Sequence, residues 1–220
     1  MLKLLFILLL TITVNVTYGQ PPAFKGGGAA LNNFLTQKII YPEYSRQNCI
    51  PGTIKVSFRL DKSGKVYDAK VSQGLGIDLD DEALRVVKLT SGKWLIPADY
   101  HSSIIILPVR FQPDAAKCSA KNSADINQAI QAYKIEQRQQ DAITNYYKAK
   151  YAGKTDTRQE TDIINLKNQL GYDDDFISDV LEQAKEKLQQ SDTTGACHDW
   201  TFIHNIGSNR ADEFLARYCK

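Results

Sequence analysis

The sequence predicts an α+β module followed by an all-helical region, and three observations carry that prediction. Apolar residues alternate with polar ones over residues 54–60, which is the period of a half-buried strand, and the apolar run IIILPVRFQ over 104–112 reads as a further strand. Between those stretches the spacing changes at Asp78 to that of a helix. Beyond Pro113 the texture shifts to Gln, Ala, Lys and Asp with apolar residues three and four apart.

The chain opens with MLKLLFILLLTITVNVTYGQ. Lys3, an apolar run from Leu4 to about Val14, and small residues at Thr17 and Gly19 predict a bacterial-type secretory signal over 1–19, cut between Gly19 and Gln20. The apolar run is shorter than the roughly 18 to 20 residues of a spanning helix. No cysteine stands at the cut for lipid attachment. The mature chain is therefore expected in the periplasm, without stable membrane insertion after cleavage. The next segment, 20–37, begins PPAFKGGGAA, and its three consecutive glycines predict a flexible lead-in.

The stretch LNNFLTQKIIYPEYSRQN reads as an extended piece that turns at Tyr41-Pro42 into a short helix, with Pro42 suited to a first helical turn. In GTIKVSFRLDKSGKVYDAKV, Ile54, Val56, Phe58 and Leu60 share one face, and Thr53, Lys55, Ser57 and Arg59 share the other. The DKSGK turn supplies Gly64 for a positive φ, and Tyr67, Ala69 and Val71 are expected to continue the inward face. Leu79, Ala83, Val86 and Val87 form a helical stripe capped by Asp78, with Asp80, Asp81 and Glu82 complementing the helix dipole. A last strand runs from Ile104 to Gln112, with Ile105, Leu107, Val109 and Phe111 inward. Helices are predicted over 122–151, 158–170, 174–190 and 208–218, the third carrying the stripe Phe176, Ile177, Val180, Leu181, Ala184 and Leu188.

Tyr41-Pro42, Gly52, the strand to Phe58, DKSGKV, the DEAL of Asp81 to Leu84, Trp94 with Pro97-Ala98, and the closing LPVRF resemble, in that order and spacing, the TonB C-terminal domain family. The resemblance covers about residues 38–112. It implies a three-stranded antiparallel sheet with two helices on one face, an open last strand, and capture of an outer-membrane transporter peptide by strand addition. On that basis the chain divides into a signal at 1–19, the lead-in at 20–37, a TonB C-terminal-like domain at 38–113 and a helical domain at 114–220. The implied docking edge comprises Ile104, Ile105, Ile106, Leu107, Val109, Arg110 and Phe111. Pro108 agrees independently, because a proline is tolerated on an edge strand and not in a central one.

Three departures from the family stand out. With 1–19 read as a cleaved signal, no uncleaved anchor and no proline-rich spacer are expected, and about a hundred residues with helical spacing follow the predicted sheet. The fold and the peptide capture are carried over; force transmission is not. If Ile105, Leu107, Val109 and Phe111 face the helices, Ile104 and Ile106 face away. Either the C-terminal helices pack on them or another protein does. The competing reading is accordingly a scaffold or homodimer whose sheet edge is already covered.

Four cysteines in an exported chain predict disulfides, with three connectivities open. If the first and third strands are antiparallel, as the resemblance implies, Cys49 and Cys118 emerge at one end of the sheet and pair. Cys197 is then left with Cys219.

Other chemistry is weakly represented. Cys197, His198, His204 and Cys219 offer zinc-type ligands, but their spacing matches no finger, so no metal or other cofactor is expected. His101 stands alone in a loop. FIHNIGSNRADEFLARY bears a weak similarity to a helix-hairpin-helix segment around Ile206-Gly207 and Ala211. With 27 Lys and Arg against 25 Asp and Glu and no basic run, nucleic acid is not an expected partner, and the case for anionic lipid is weak. DLDDE and YDDDF lack the loop of a calcium hand and read as helix caps. No Ser-His-Asp order, glycine-rich phosphate loop or metal-hydrolase motif is present, so the protein is read as a non-enzyme.

Overall fold

A computed structural model describes residues 20–154 and 157–219. The expected signal segment lies outside them. The chain divides into two compact units between Ala120 and Lys121.

In the first unit, β1 (Ala23–Phe24), α1 (Gly27–Lys38), α2 (Glu43–Gln47), β2 (Gly52–Leu60), β3 (Val66–Gln73), α3 (Asp78–Lys88), β4 (Trp94–Leu95), β5 (Ile105–Phe111) and α4 (Ala115–Cys118) follow one another. The main sheet has the order β3-β2-β5 and is antiparallel throughout. Ile54, Val56, Phe58 and Leu60 of β2, with Val109 and Phe111 of β5, face Leu79, Ala83, Val86 and Val87 of α3, and all are essentially solvent-free. Burial of these side chains supplies the main driving force for the unit.

Two short turns fix the frame. Asp61 Oδ1 accepts from the Ser63 and Lys65 backbone N–H groups at 2.8 and 2.9 Å, closing the β2–β3 hairpin. Those donors hold the Asp61 carboxyl below its usual range, the Lys65 amide contributing most. Gly64 has φ +77°, and a Cβ there would lie 2.5 Å from the Trp94 carbonyl oxygen, so the residue answers two demands at once.

Several expectations need correction. Residues 20–37 are not a flexible lead-in. Phe24 pairs with Trp94 in the small β1–β4 sheet, packs edge-on against its ring at 5.6 Å, and is buried. Gly26 and Gly27 take φ of +87° and +79° and make the turn into α1, so these glycines set a sharp bend instead of mobility. The segment expected to be extended up to Tyr41 is likewise mostly helix; only 39–42 is extended, and Pro42 is the N-cap of α2. Tyr67 does not face inward. Asp68 has φ +53° at a register irregularity opposite Ser57 and Arg59, and this bulge shifts the side-chain parity, leaving Tyr67 42% exposed. Asp78 is the first residue of α3 and not its cap. Its carboxylate reaches back to α2, accepting from the Ser45 N–H at 3.1 Å and from the Ser45 hydroxyl.

The second unit contains α5 (Ser123–Tyr151), a 3-10 turn at Thr157–Gln159, α6 (Glu160–Gln169), α7 (Asp174–Gln189), α8 (Thr193–Asn205) and α9 (Asp212–Tyr218). Asn122 and Asp125 form a capping box at α5. Asp173 caps α7, as the reading of YDDDF expects. Ile143, Tyr146 and Tyr147 of α5 join Ile177 and Ala184 of α7 and Ala196, Trp200, Ile203 and Ile206 of α8 in one core. The sequence predicts no helix between 190 and 208, where SDTTG reads as the boundary of the preceding helix, yet α8 lies there. Asp192 is its N-cap, accepting from the Gly195 N–H at 2.9 Å, so the apparent breaker is the start of a helix. The helix expected from 208 begins at Asp212, because 206–211 form the connecting turn.

Disulfides join Cys49 to Cys118 within the first unit and Cys197 to Cys219 within the second.

Candidate peptide-docking edge

β5 pairs with β2 along one side from Ile105–Phe58 to Phe111–Gly52. No strand pairs with its other side among the described residues. In an antiparallel ladder, alternate residues turn both N–H and C=O to the same side. A proline is accommodated where the ladder needs no donor. Pro108 lies opposite Lys55. The ladder to β2 is therefore made by Ile105, Leu107, Val109 and Phe111, and Ile106, Pro108 and Arg110 present their backbone groups to the free side. That row offers donors at Ile106 and Arg110 and a gap between them.

The free side is flanked by two concavities. One, of about 370 Å³, is lined by Asn32, Leu35 and Thr36 of α1 and Ile39 just after it, together with Thr53 of β2 and Pro108 and Arg110 of β5. The other, of about 480 Å³, lies where the strand begins, between Pro21 and Pro22 on one side and Tyr100, His101, Ile104 and Ile105 on the other. The wall supplied by α1 is anchored from α3. Buried Glu82 accepts from the Ile40 N–H at 2.6 Å and from Arg85 Nε at 2.6 Å, while Arg85 donates to the Lys38 carbonyl at 2.7 Å. The Glu82 hydrogen bond holds the Arg85 guanidinium above its ordinary pKa.

At the far end of β5, Tyr41 stacks edge-on against Phe111 at 5.9 Å and donates to the Ile50 carbonyl at 2.6 Å. Burial, reinforced by the Asp78 charge, pushes its phenol up to about 12.

The seven residues read from the sequence as an edge occupy different positions with respect to solvent. Ile104 precedes the strand and is 60% exposed; Ile106 is 57% exposed; Arg110 is exposed. Ile105 and Leu107 are half-buried, and Val109 and Phe111 belong to the core, where they can shape the strand but not touch a partner. Leu35 and Ile39 were not foreseen. Their signal was the helical spacing of Leu31, Phe34 and Leu35, masked by the glycines before it.

The remaining candidates resolve locally. Cys197 and Cys219 are bonded to each other, and His204 Nδ1 lies 2.7 Å from Asp212 Oδ1, so that quartet is no metal centre. Among the described residues no group of His, Cys, Asp and Glu is placed to hold an ion. In the turn after α8, the Gly207 and Ser208 N–H groups bond internally to His204 and Ile203 carbonyls, and Gly207 packs against the Tyr147 ring. Those amides are not free to hold a phosphate. His101 is exposed in the loop before β5 and borders the second concavity.

The described residues thus form an antiparallel sheet backed by helices, with β5 as an edge strand whose outer side is unpaired. Residues 37–113 match the family described as Gram-negative bacterial TonB protein C-terminal. Two solution NMR structures of the Helicobacter pylori TonB C-terminal domain are similar to this chain. The longer fragment is 25% identical, with 38% of this chain and 78% of that one covered at a TM-score of 0.33. The shorter is 22% identical, with 38% and 90% covered at the same score. No curated protein matches the chain.

Proposed function

We propose that residues 38–113 capture an extended peptide of an envelope protein, of the kind an outer-membrane transporter presents to the periplasm, by adding it as a fourth strand beside β5. The observation that carries this reading is the unpaired side of β5, where Ile106, Pro108 and Arg110 direct their backbone groups outward. The groove between α1 and Thr53, Pro108 and Arg110 supports this reading, since it would take side chains of the incoming strand. Main-chain pairing supplies affinity and the groove supplies selectivity. The protein acts in the periplasm after signal removal, consistent with its two disulfides. No catalytic step is part of the account.

Substitution of the outward donors tests it. Ile106→Pro with Arg110→Pro leaves the β2 ladder intact and removes both free N–H groups. Each hydrogen bond contributes about 0.5–1.5 kcal/mol, so binding of transporter-derived synthetic peptides is expected to weaken roughly tenfold or more, with the melting temperature little changed. Leu107→Pro, which faces β2, is the opposite control and should unfold the sheet. Peptide affinity unchanged in the double variant would refute strand addition.

A further inference from the structure

The sheet has a second unexplained feature, on the face turned away from α3. There β2 presents Thr53, Lys55, Ser57 and Arg59, β3 presents Tyr67 and Lys70, and the β5 row ends in Arg110. Ile104 and Ile106 stand exposed at one corner, with Tyr67 exposed on the same face. Among the described residues of this face, the carboxylate facing these cations is Asp68, 3.9 Å from Arg59 Nε. Arg59 also donates to the Ser102 carbonyl at 3.1 Å. Lys55, Lys70 and Arg110 have no acidic partner among the ion pairs of the described residues.

A peptide added at β5 does not account for this face. Strands are spaced about 4.8 Å apart, so Lys55 lies one strand and Lys70 two strands inward from the edge. A second copy of the chain does not account for it either, since a two-fold contact through this face would set Lys55, Lys70 and Arg110 against their own equivalents.

We infer that the outer face of the sheet docks on an anionic lipid surface. Dispersed cations around exposed isoleucine and tyrosine side chains are the chemistry of an interfacial contact: the basic groups meet headgroup phosphates, and Ile104, Ile106 and Tyr67 enter the layer beneath. An acidic protein partner would require carboxylates at fixed places, whereas a headgroup layer supplies mobile phosphates. The near-zero balance of the whole chain hides this segregation of charge. Docking through the face leaves the β5 edge open at its margin. The inference therefore stands independently of strand capture.

The test is co-sedimentation of the mature, disulfide-bonded full chain with phosphatidylcholine vesicles, with and without phosphatidylglycerol. Binding to the anionic vesicles alone is expected, falling as salt rises. Each basic residue near such a surface contributes about fivefold in affinity, so Lys55→Glu with Lys70→Glu should weaken binding about 25-fold or more. Ile104→Ser with Ile106→Ser should weaken it while leaving its salt dependence in place. All four sites are exposed or peripheral, and an unchanged melting temperature checks folding. Equal binding to neutral vesicles, absence of binding, or unaltered binding by both variants would overturn the inference. Retention of soluble polyglutamate without retention of vesicles would overturn it in favour of an acidic protein. Peptide capture by the Lys55→Glu and Lys70→Glu variant is expected to persist, which separates the two claims.

Discussion

One proline decides which backbone groups of β5 are left unpaired. Because Pro108 cannot donate, the neighbouring residues of opposite parity must build the ladder, and Ile106 and Arg110 retain free N–H groups. At the same scale, Tyr41 reports on the packing beneath the strand. Its phenol is raised to about 12, by burial first and by Asp78 second. The folded state therefore holds its proton above the unfolded value near 10. Below pH 10 both states are protonated and the contribution is fully present; between 10 and 12 the unfolded chain loses the proton first, and stability falls as pH rises. Urea titrations across that window should show the decline, and Tyr41→Phe should flatten it. An equally steep decline in Tyr41→Phe would assign it to other groups.

At the scale of elements, α1 matters because it lines the groove, and Glu82 holds its C-terminal end to α3. Glu82→Ala leaves the Ile40 N–H and the Arg85 guanidinium without their partner, and should cost about 1–3 kcal/mol in chemical denaturation. Affinity for captured peptides should fall in parallel as the groove loosens. Retained stability would mean that water replaces the carboxylate at no cost. Legibility in the sequence divided along these elements. β2 and α3 were readable because each is amphipathic with a clear period, and β5 because it is an apolar run bounded by polar residues; the core confirms Ile54, Val56, Phe58, Leu60, Leu79, Ala83, Val86 and Val87. What was not legible depended on single backbone torsions. Glycines at 26 and 27 make a bend that composition reads as looseness, Asp68 inserts a bulge that turns Tyr67 outward, and Asp192 begins a helix inside an apparent breaker. The edge itself was anticipated by the family resemblance and by Pro108, whereas the α1 wall was hidden by the reading of 20–37.

For the whole molecule, each compact unit contains its own disulfide. The bonds close separations of 69 and 22 residues, and constraint of the unfolded chain is worth about 4 and 3 kcal/mol. Cys49→Ser with Cys118→Ser should lower the unfolding free energy of the sheet-bearing unit and leave the helical unit unchanged; Cys197→Ser with Cys219→Ser should do the reverse. Calorimetry separates the two transitions, and loss of both from either pair would show that the units unfold together. Charge, too, becomes legible only at this scale. A sum near neutrality argued against any electrostatic partner, yet folding collects Lys55, Lys70 and Arg110 on one face.

The most direct test of the central claim is amide hydrogen exchange, resolved by residue in β5, with and without a captured peptide. Strand addition predicts that the Ile106 and Arg110 amides exchange quickly in the free chain and become protected on binding, while Leu107 and Val109 are protected throughout. Ile106 and Arg110 amides already protected in the free chain, or left unprotected at saturating peptide, would contradict it.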